Sequence, residues 1–116
     1  MAPGVELLSF RPNLPVRDLG LALAFYRDLL GLDVVHQEEA FALLRSAGGA
    51  EVVLEAHPSP QAAGCYLYVR GVEALHARLA DAGVRVERRL QRQPWGLLDF
   101  VAVDPNGHRI GIGEWQ

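Results

Sequence analysis

The sequence predicts an α+β protein made of two βαβββ modules whose curved mixed sheets surround a cleft. Two observations carry that expectation. The order strand–helix–strand–strand–strand runs twice, and its second pass starts near the middle of the 116-residue chain. Each predicted helix also ends on a glycine that leads into a strand, in Leu29-Leu30-Gly31-Leu32 and in Asp81-Ala82-Gly83-Val84. A repeat of half the chain is too long for a solenoid and fits two modules facing each other. The expected organisation is one domain over residues 1–116, with modules at about 7–56 and 64–114 joined by a linker at 57–63.

Residues 1–6 read as a loose tail. Leu7 to Val16 reads as a strand interrupted by Pro12 and Pro15, which suits an edge strand or one crossing to a partner, because proline cannot donate to a ladder. Asp18 is placed to cap a helix from Leu19 to Leu30, with Ala22, Phe25, Tyr26 and Leu29 on its buried face. Strands follow at about Leu32–His36, Phe41–Ser46 and Glu51–Ala56, the last two joined by Ala47-Gly48-Gly49. The proline-bearing linker His57-Pro58-Ser59-Pro60-Gln61-Ala62-Ala63 precedes a strand from Cys65 to Arg70. A helix from Val72 to Ala82, turning Leu75 and Leu79 inward, and strands at Val84–Leu90, Leu97–Val103 and Arg109–Gly113 complete the second pass. Asp104-Pro105-Asn106-Gly107 fits a type I turn: the Asp side chain bonds backbone ahead of it, Pro presets φ, and Gly accepts positive φ.

Composition excludes several classes. Hydrophobic residues make up 50% and charged residues 22%, ordinary for a globular chain. A net charge of -3 argues against general nucleic-acid binding. No apolar run approaches a membrane span and no leader pattern opens the chain, so the expectation is a cytoplasmic protein. Cys65 is the one cysteine, which leaves no internal disulfide or thiolate cluster and suggests a structural thiol. His36, His57, His76 and His108 lack ligand-pair spacing and read as ordinary surface or loop histidines. No glycine-rich phosphate loop or nucleophile elbow is present.

Val16-Arg17-Asp18-Leu19, the helix Leu23-Ala24-Phe25-Tyr26-Arg27-Asp28-Leu29-Leu30-Gly31-Leu32 and Asp104-Pro105-Asn106-Gly107, set in paired modules, resemble the vicinal oxygen chelate superfamily. That superfamily takes in glyoxalase I, extradiol dioxygenases, fosfomycin-modifying enzymes and bleomycin resistance proteins. Tyr66-Leu67-Tyr68-Val69-Arg70-Gly71-Val72-Glu73-Ala74-Leu75 and Gln93-Pro94-Trp95-Gly96, followed by Asp99-Phe100, are similar to its bleomycin-binding branch. The resemblance implies aromatic side chains lining a groove at a homodimer interface, with exchanged N-terminal strands, where the flat bithiazole of the drug is sequestered and not altered.

The enzymes of the superfamily hold a divalent metal with one residue from each of four strands. Carried over by the matching motifs, three of those positions fall on Arg11, Gly64 and Gly111, none of which is a ligand. On the fourth strand Glu51 and Glu55 share a face, so one carboxylate could point inward. The expectation is therefore no metal, no cofactor and no catalytic residue.

The candidate ligand-binding residues are Phe41, Tyr66, Tyr68, Trp95, Gly96 and Phe100, with Glu38 and Asp99 as sources of negative charge for a cationic drug tail. Aromatic rings stack on flat heteroaromatic ligands, at about 0.5–1.5 kcal/mol per pair beyond area burial. Tyr66 and Tyr68 share a face by alternation, and Trp95 sits between turn residues where a core role is least natural. Each ring has a core role as its alternative, most naturally Phe100 in mid-strand, and Glu38, Glu39, Asp99 and Glu114 have a solvated one. Arg88, Arg89 and Arg92, just before the tryptophan loop, add positive charge that the bleomycin binders do not lead one to expect. The rival functions are a metal-dependent glyoxalase-like lyase or dioxygenase, and a small-molecule-sensing module on the same scaffold.

Overall fold

In the computed structural model, residues 4–6 and 8–116 are described, and the expected strand start at Leu7 lies outside them. The elements run β1 (Asn13–Val16), α1 (Leu19–Leu23) continuing as a π-helical segment (Ala24–Leu29), β2 (Asp33–Gln37), β3 (Phe41–Arg45) and β4 (Glu51–Ala56). The order then recurs as β5 (Gly64–Tyr68), α2 (Val72–Asp81), β6 (Arg85–Arg92), β7 (Leu97–Val103) and β8 (Arg109–Trp115). Each half forms one four-stranded sheet, ordered β1-β4-β3-β2 and β5-β8-β7-β6, so the architecture is α+β as expected. In both sheets the first strand pairs in parallel with the last, and the remaining pairs are antiparallel.

Local chemistry accounts for most element ends. Asp18 caps α1 by accepting from Leu21 N at 3.1 Å. The first strand is shorter than expected and begins only after Pro12, whose carbonyl accepts from Val53 N. It lies at a sheet edge, where Pro15 has no ladder bond to supply on its open side. The first helix is not a continuous α-helix. Its second half widens so that the adjacent rings of Phe25 and Tyr26 are both buried, edge-on at 5.0 Å. Gly71 begins α2 without a capping side chain, and Glu114 on β8 takes that role by accepting from Gly71 N and Val72 N. Glu114 is thus a cap, not a free surface charge.

One hydrophobic core joins the halves, with Leu14, Val16, Ala22, Phe25, Leu44 and Leu54 from the first and Leu79, Phe100, Ile110 and Ile112 from the second. A polar clasp fixes their relation. In the turn after β7, Asp104 accepts from Asn106 N and His108 N, and Gly107, at φ 82°, closes it by donating to the Asp104 carbonyl. The other Asp104 oxygen accepts the Tyr26 hydroxyl at 2.8 Å, and Asn106 accepts Arg17 N at 2.7 Å. His108, expected to be a surface or loop histidine, is instead fully buried. Its Nδ1 accepts from Ala63 N, which leaves Nε2 to donate to the Pro15 carbonyl at 2.6 Å. Strand β1, the linker and β8 meet on that one ring.

Among the described residues no helix is long and apolar enough to cross a membrane. The clasp predicts a stability defect: His108→Ala leaves the Ala63 N–H and Pro15 carbonyl without partners, at a cost of about 2–5 kcal/mol. Urea denaturation should show a lowered midpoint with little change in slope.

Candidate functional site

Strand alternation gives each sheet a core face and an open face. On β5, Cys65 and Leu67 pack on the core, which turns Tyr66 and Tyr68 outward. On β8, Ile110 and Ile112 are buried, so Gly111, Gly113 and Trp115 fall on the outward side. On β7, Phe100 goes inward and Asp99 outward. The parallel register sets Tyr66 beside Gly111 and Tyr68 beside Gly113.

Those glycines form a trough. A Cβ on Gly111 would stand 2.5 Å from Tyr66 Cδ2, and one on Gly113 would collide with the Tyr66 hydroxyl and with the Asp99 side chain. Because neither has a side chain, the Tyr66 ring lies across β8 and reaches β7. Its hydroxyl donates to Asp99 Oδ2 at 2.7 Å, while Arg88 Nη1 and Gln93 Nε2 donate to Oδ1, each at 3.0 Å. The rings continue as a row: Tyr66 to Tyr68 at 5.0 Å, then Tyr68 to Trp115 at 6.1 Å with planes 10° apart. Trp115 covers Gly96, which at φ 105° completes the Gln93-Pro94-Trp95-Gly96 turn. Trp95, at the tip of that turn, is 62% exposed.

The expected site residues therefore separate. Tyr66, Tyr68, Asp99, Trp95 and Gly96 gather on and beside the open face of the second sheet. Phe100 does not join them: it is fully buried, edge-on to His76 of α2 at 4.9 Å, because alternation turns it to the core. Phe41 lies on the first sheet beside Glu55 and His36, and Glu38 is paired with His36 at 2.9 Å. Asp99 faces the groove side yet is only 2% exposed, with both oxygens taken, so it offers no free charge to a cationic tail. Trp115, Arg88 and Gln93 join the site without being among the residues that the sequence points to. The signal for Trp115 was present, since it continues the alternation of Gly111 and Gly113 by one more step.

Electrostatics follow from these contacts. Burial alone would push the Asp99 carboxyl up, but hydrogen bonds from Arg88, Gln93 and Tyr66 and the Arg88 charge outweigh it and hold the group below its ordinary value. The Tyr66 phenol is pushed well up by partial burial and by its bond to Asp99. Burial also raises the Cys65 thiol, which fits a structural cysteine.

The residues at the superfamily's metal positions do not fit a metal. Arg11 is exposed, Gly64 has no donor, Glu51 is held by Arg45 at 2.6 Å, Glu55 is exposed, and the Tyr66 ring covers Gly111. Among the described residues no three His, Cys, Asp or Glu side chains converge. On the helical side, a groove of about 400 Å³ between Leu21, Phe25 and Leu29 and the segment Ala82–Arg85 carries none of these aromatic residues.

Comparison with known proteins bears on this site. Residues 9–112 match the family model of the "Glyoxalase/Bleomycin resistance protein/Dioxygenase superfamily". A "Bleomycin resistance protein" from Geobacillus stearothermophilus is 29% identical over 126 residues, covering 91% of this chain and 96% of its own. A solved bleomycin-binding protein complexed with bleomycin superposes with a TM-score of 0.75 at 22% identity, over 95% of this chain and 100% of its own. Lactoylglutathione lyase from Agrobacterium tumefaciens superposes with 0.79 at 21% identity, over 97% and 96%. At such identities the two structures establish the fold alone, and one of them is named as an enzyme, so the fold does not choose between binding and catalysis.

A pH dependence follows from Asp99. A carboxyl lowered in the folded state contributes stability that is fully present above its unfolded value, near about 4, and is lost as pH falls through the folded value. Urea midpoints measured from about pH 6 down to about pH 2 should fall below about pH 4, less steeply in Asp99→Asn than in the parent.

Proposed function

Because the chain belongs to the glyoxalase/bleomycin resistance protein/dioxygenase superfamily, we propose that it binds and sequesters a bleomycin-type glycopeptide antibiotic without altering it, as a cytoplasmic homodimer. The observation that carries this reading is the row Tyr66–Tyr68–Trp115 with Trp95 beside it, an exposed aromatic surface in which the Tyr66 ring covers Gly111. Flat rings held in order bind a flat heteroaromatic group with little further loss of freedom. The similarity to bleomycin resistance proteins extends along almost the whole of both chains, which supports drug binding over other uses of the scaffold.

The absence of catalysis rests on the donor set. A Lewis acid needs several ligands converging on one point with a position left open for substrate. Here one such position is under a tyrosine ring, one has no side chain, and one carries a guanidinium.

The homodimer is supported by two features. The Phe41 and Tyr66 surfaces lie on different sheets, an arrangement compatible with grooves that each draw one wall from either copy. Val5, Leu8 and Phe10 are 62%, 83% and 85% exposed, an apolar arm suited to lying on a partner chain. The lone Cys65 fits a reducing compartment.

Calorimetric titration with metal-free bleomycin should give binding near one drug per chain, unaffected by prior treatment with chelator. Trp95→Ala and Tyr68→Ala should each weaken it by about three- to tenfold, the size of one lost stacking contact. No binding, together with a tightly held divalent metal in the purified protein, would overturn the reading.

A further inference from the structure

The open face of the second sheet carries a carboxylate whose role is not explained by ligand charge. We infer that Asp99 is a positioning residue: it pins the Tyr66 ring across the β8 glycine trough, so that Tyr66, Tyr68 and Trp115 form one rigid stacking platform, and it does not itself meet the cationic part of a ligand. The inference rests on the binding reading above and deepens it.

Three independent contacts support it. The Tyr66 hydroxyl ends on Asp99 Oδ2, and the ring passes over two positions where any Cβ would collide with it. The anchor is itself anchored, since Arg88 from β6 and Gln93 from the tryptophan turn both bond Oδ1, holding the carboxylate through the oxygen that Tyr66 does not use. Arg88 also neutralises the charge, and at 2% exposure the carboxylate is shielded from solvent. The lowered carboxyl and raised phenol values agree with a carboxylate–phenol bond, with the proton on Tyr66. Platform order then passes along the row, because Tyr68 packs on Tyr66 and Trp115 stacks on Tyr68. Gln93 ties the same carboxylate to the turn that presents Trp95, so one group orients rings from two strands and a loop.

The test has a ligand-free arm and a binding arm. Three-bond couplings about χ1 of Tyr66 should report one rotamer in the parent protein and rotamer averaging in Asp99→Asn. An averaged Tyr66 in the parent, or an equally ordered one in Asp99→Asn, overturns the inference whether or not any drug binds. The binding arm compares metal-free bleomycin with its tail-free acid, which keeps the bithiazole and lacks the cationic tail. Tyr66→Phe, which keeps the carboxylate with its other two partners, should weaken both probes alike, by about three- to tenfold, and Asp99→Asn should do the same. Combining the two should weaken binding no further than either alone, as expected of two groups acting through one contact. A loss in Asp99→Asn confined to the tailed drug, or a gain for that drug in Tyr66→Phe as the carboxylate is freed, would make Asp99 a direct charge contact and overturn the inference. Failure of the parent protein to bind either probe counts against the proposed function and leaves the χ1 measurement to decide this point.

Discussion

The relation between the two halves of this protein depends on the buried clasp built from the turn Asp104–His108. The turn arises from its own residues, since Asp104 bonds backbone ahead of it and Gly107 takes a conformation that other residues avoid. What it then holds is non-local: the Tyr26 hydroxyl from the first helix, Arg17 N after β1, the Pro15 carbonyl within β1 and Ala63 N at the end of the linker. An apolar core alone is non-directional and would leave two four-stranded sheets free to slide. Hydrogen bonds with fixed geometry remove that freedom, and those of Tyr26 and His108, buried or part-buried, are costly to leave unmade. The relative placement of the two open faces follows from this joint.

On the second sheet the governing feature is what the chain leaves out. Gly111 and Gly113 vacate the middle of β8, and the space is taken by the Tyr66 ring. The two glycines thus create a bed for an aromatic surface. The arginines before the tryptophan turn are partly explained by the same arrangement: Arg88 balances the buried Asp99. Arg89 and Arg92 lie on β6, an edge strand, where exposed charge discourages pairing with another sheet.

Much of this was legible in the sequence because it is encoded locally. The doubled order of elements, the glycine stops, the Asp18 cap, the Asp104 turn and the shared outward face of Tyr66 and Tyr68 each depend on residues a few positions apart. Other features depend on partners distant in the chain, on which face of a strand the core takes, or on where a strand ends. His108 follows a turn and reads as a loop residue, yet its partners are 45 and 93 positions away. Asp99 and Phe100 are adjacent in β7, so alternation sends them to opposite faces, and the core contacts of the strand decide which face each takes. The last strand runs two residues beyond the expected end at Gly113 and so includes Trp115, whose spacing from the two glycines continues their alternation. The widened helical turn at Phe25 and Tyr26 reflects the burial of two adjacent rings, which periodicity alone does not anticipate.

The central claim is that a flat drug lies on the glycine-floored aromatic face of the second sheet. The most direct test is a heteronuclear NMR titration of ¹⁵N-labelled protein with metal-free bleomycin, accompanied by the mass of the recovered drug. The account predicts the largest shifts at the Tyr68, Gly111, Gly113 and Trp115 amides and at the Trp95 and Trp115 indole N–H groups, with the drug mass unchanged. Shifts centred instead on Leu21, Ala24, Gly83 and Val84 of the helical groove, or a drug recovered with altered mass, would contradict it.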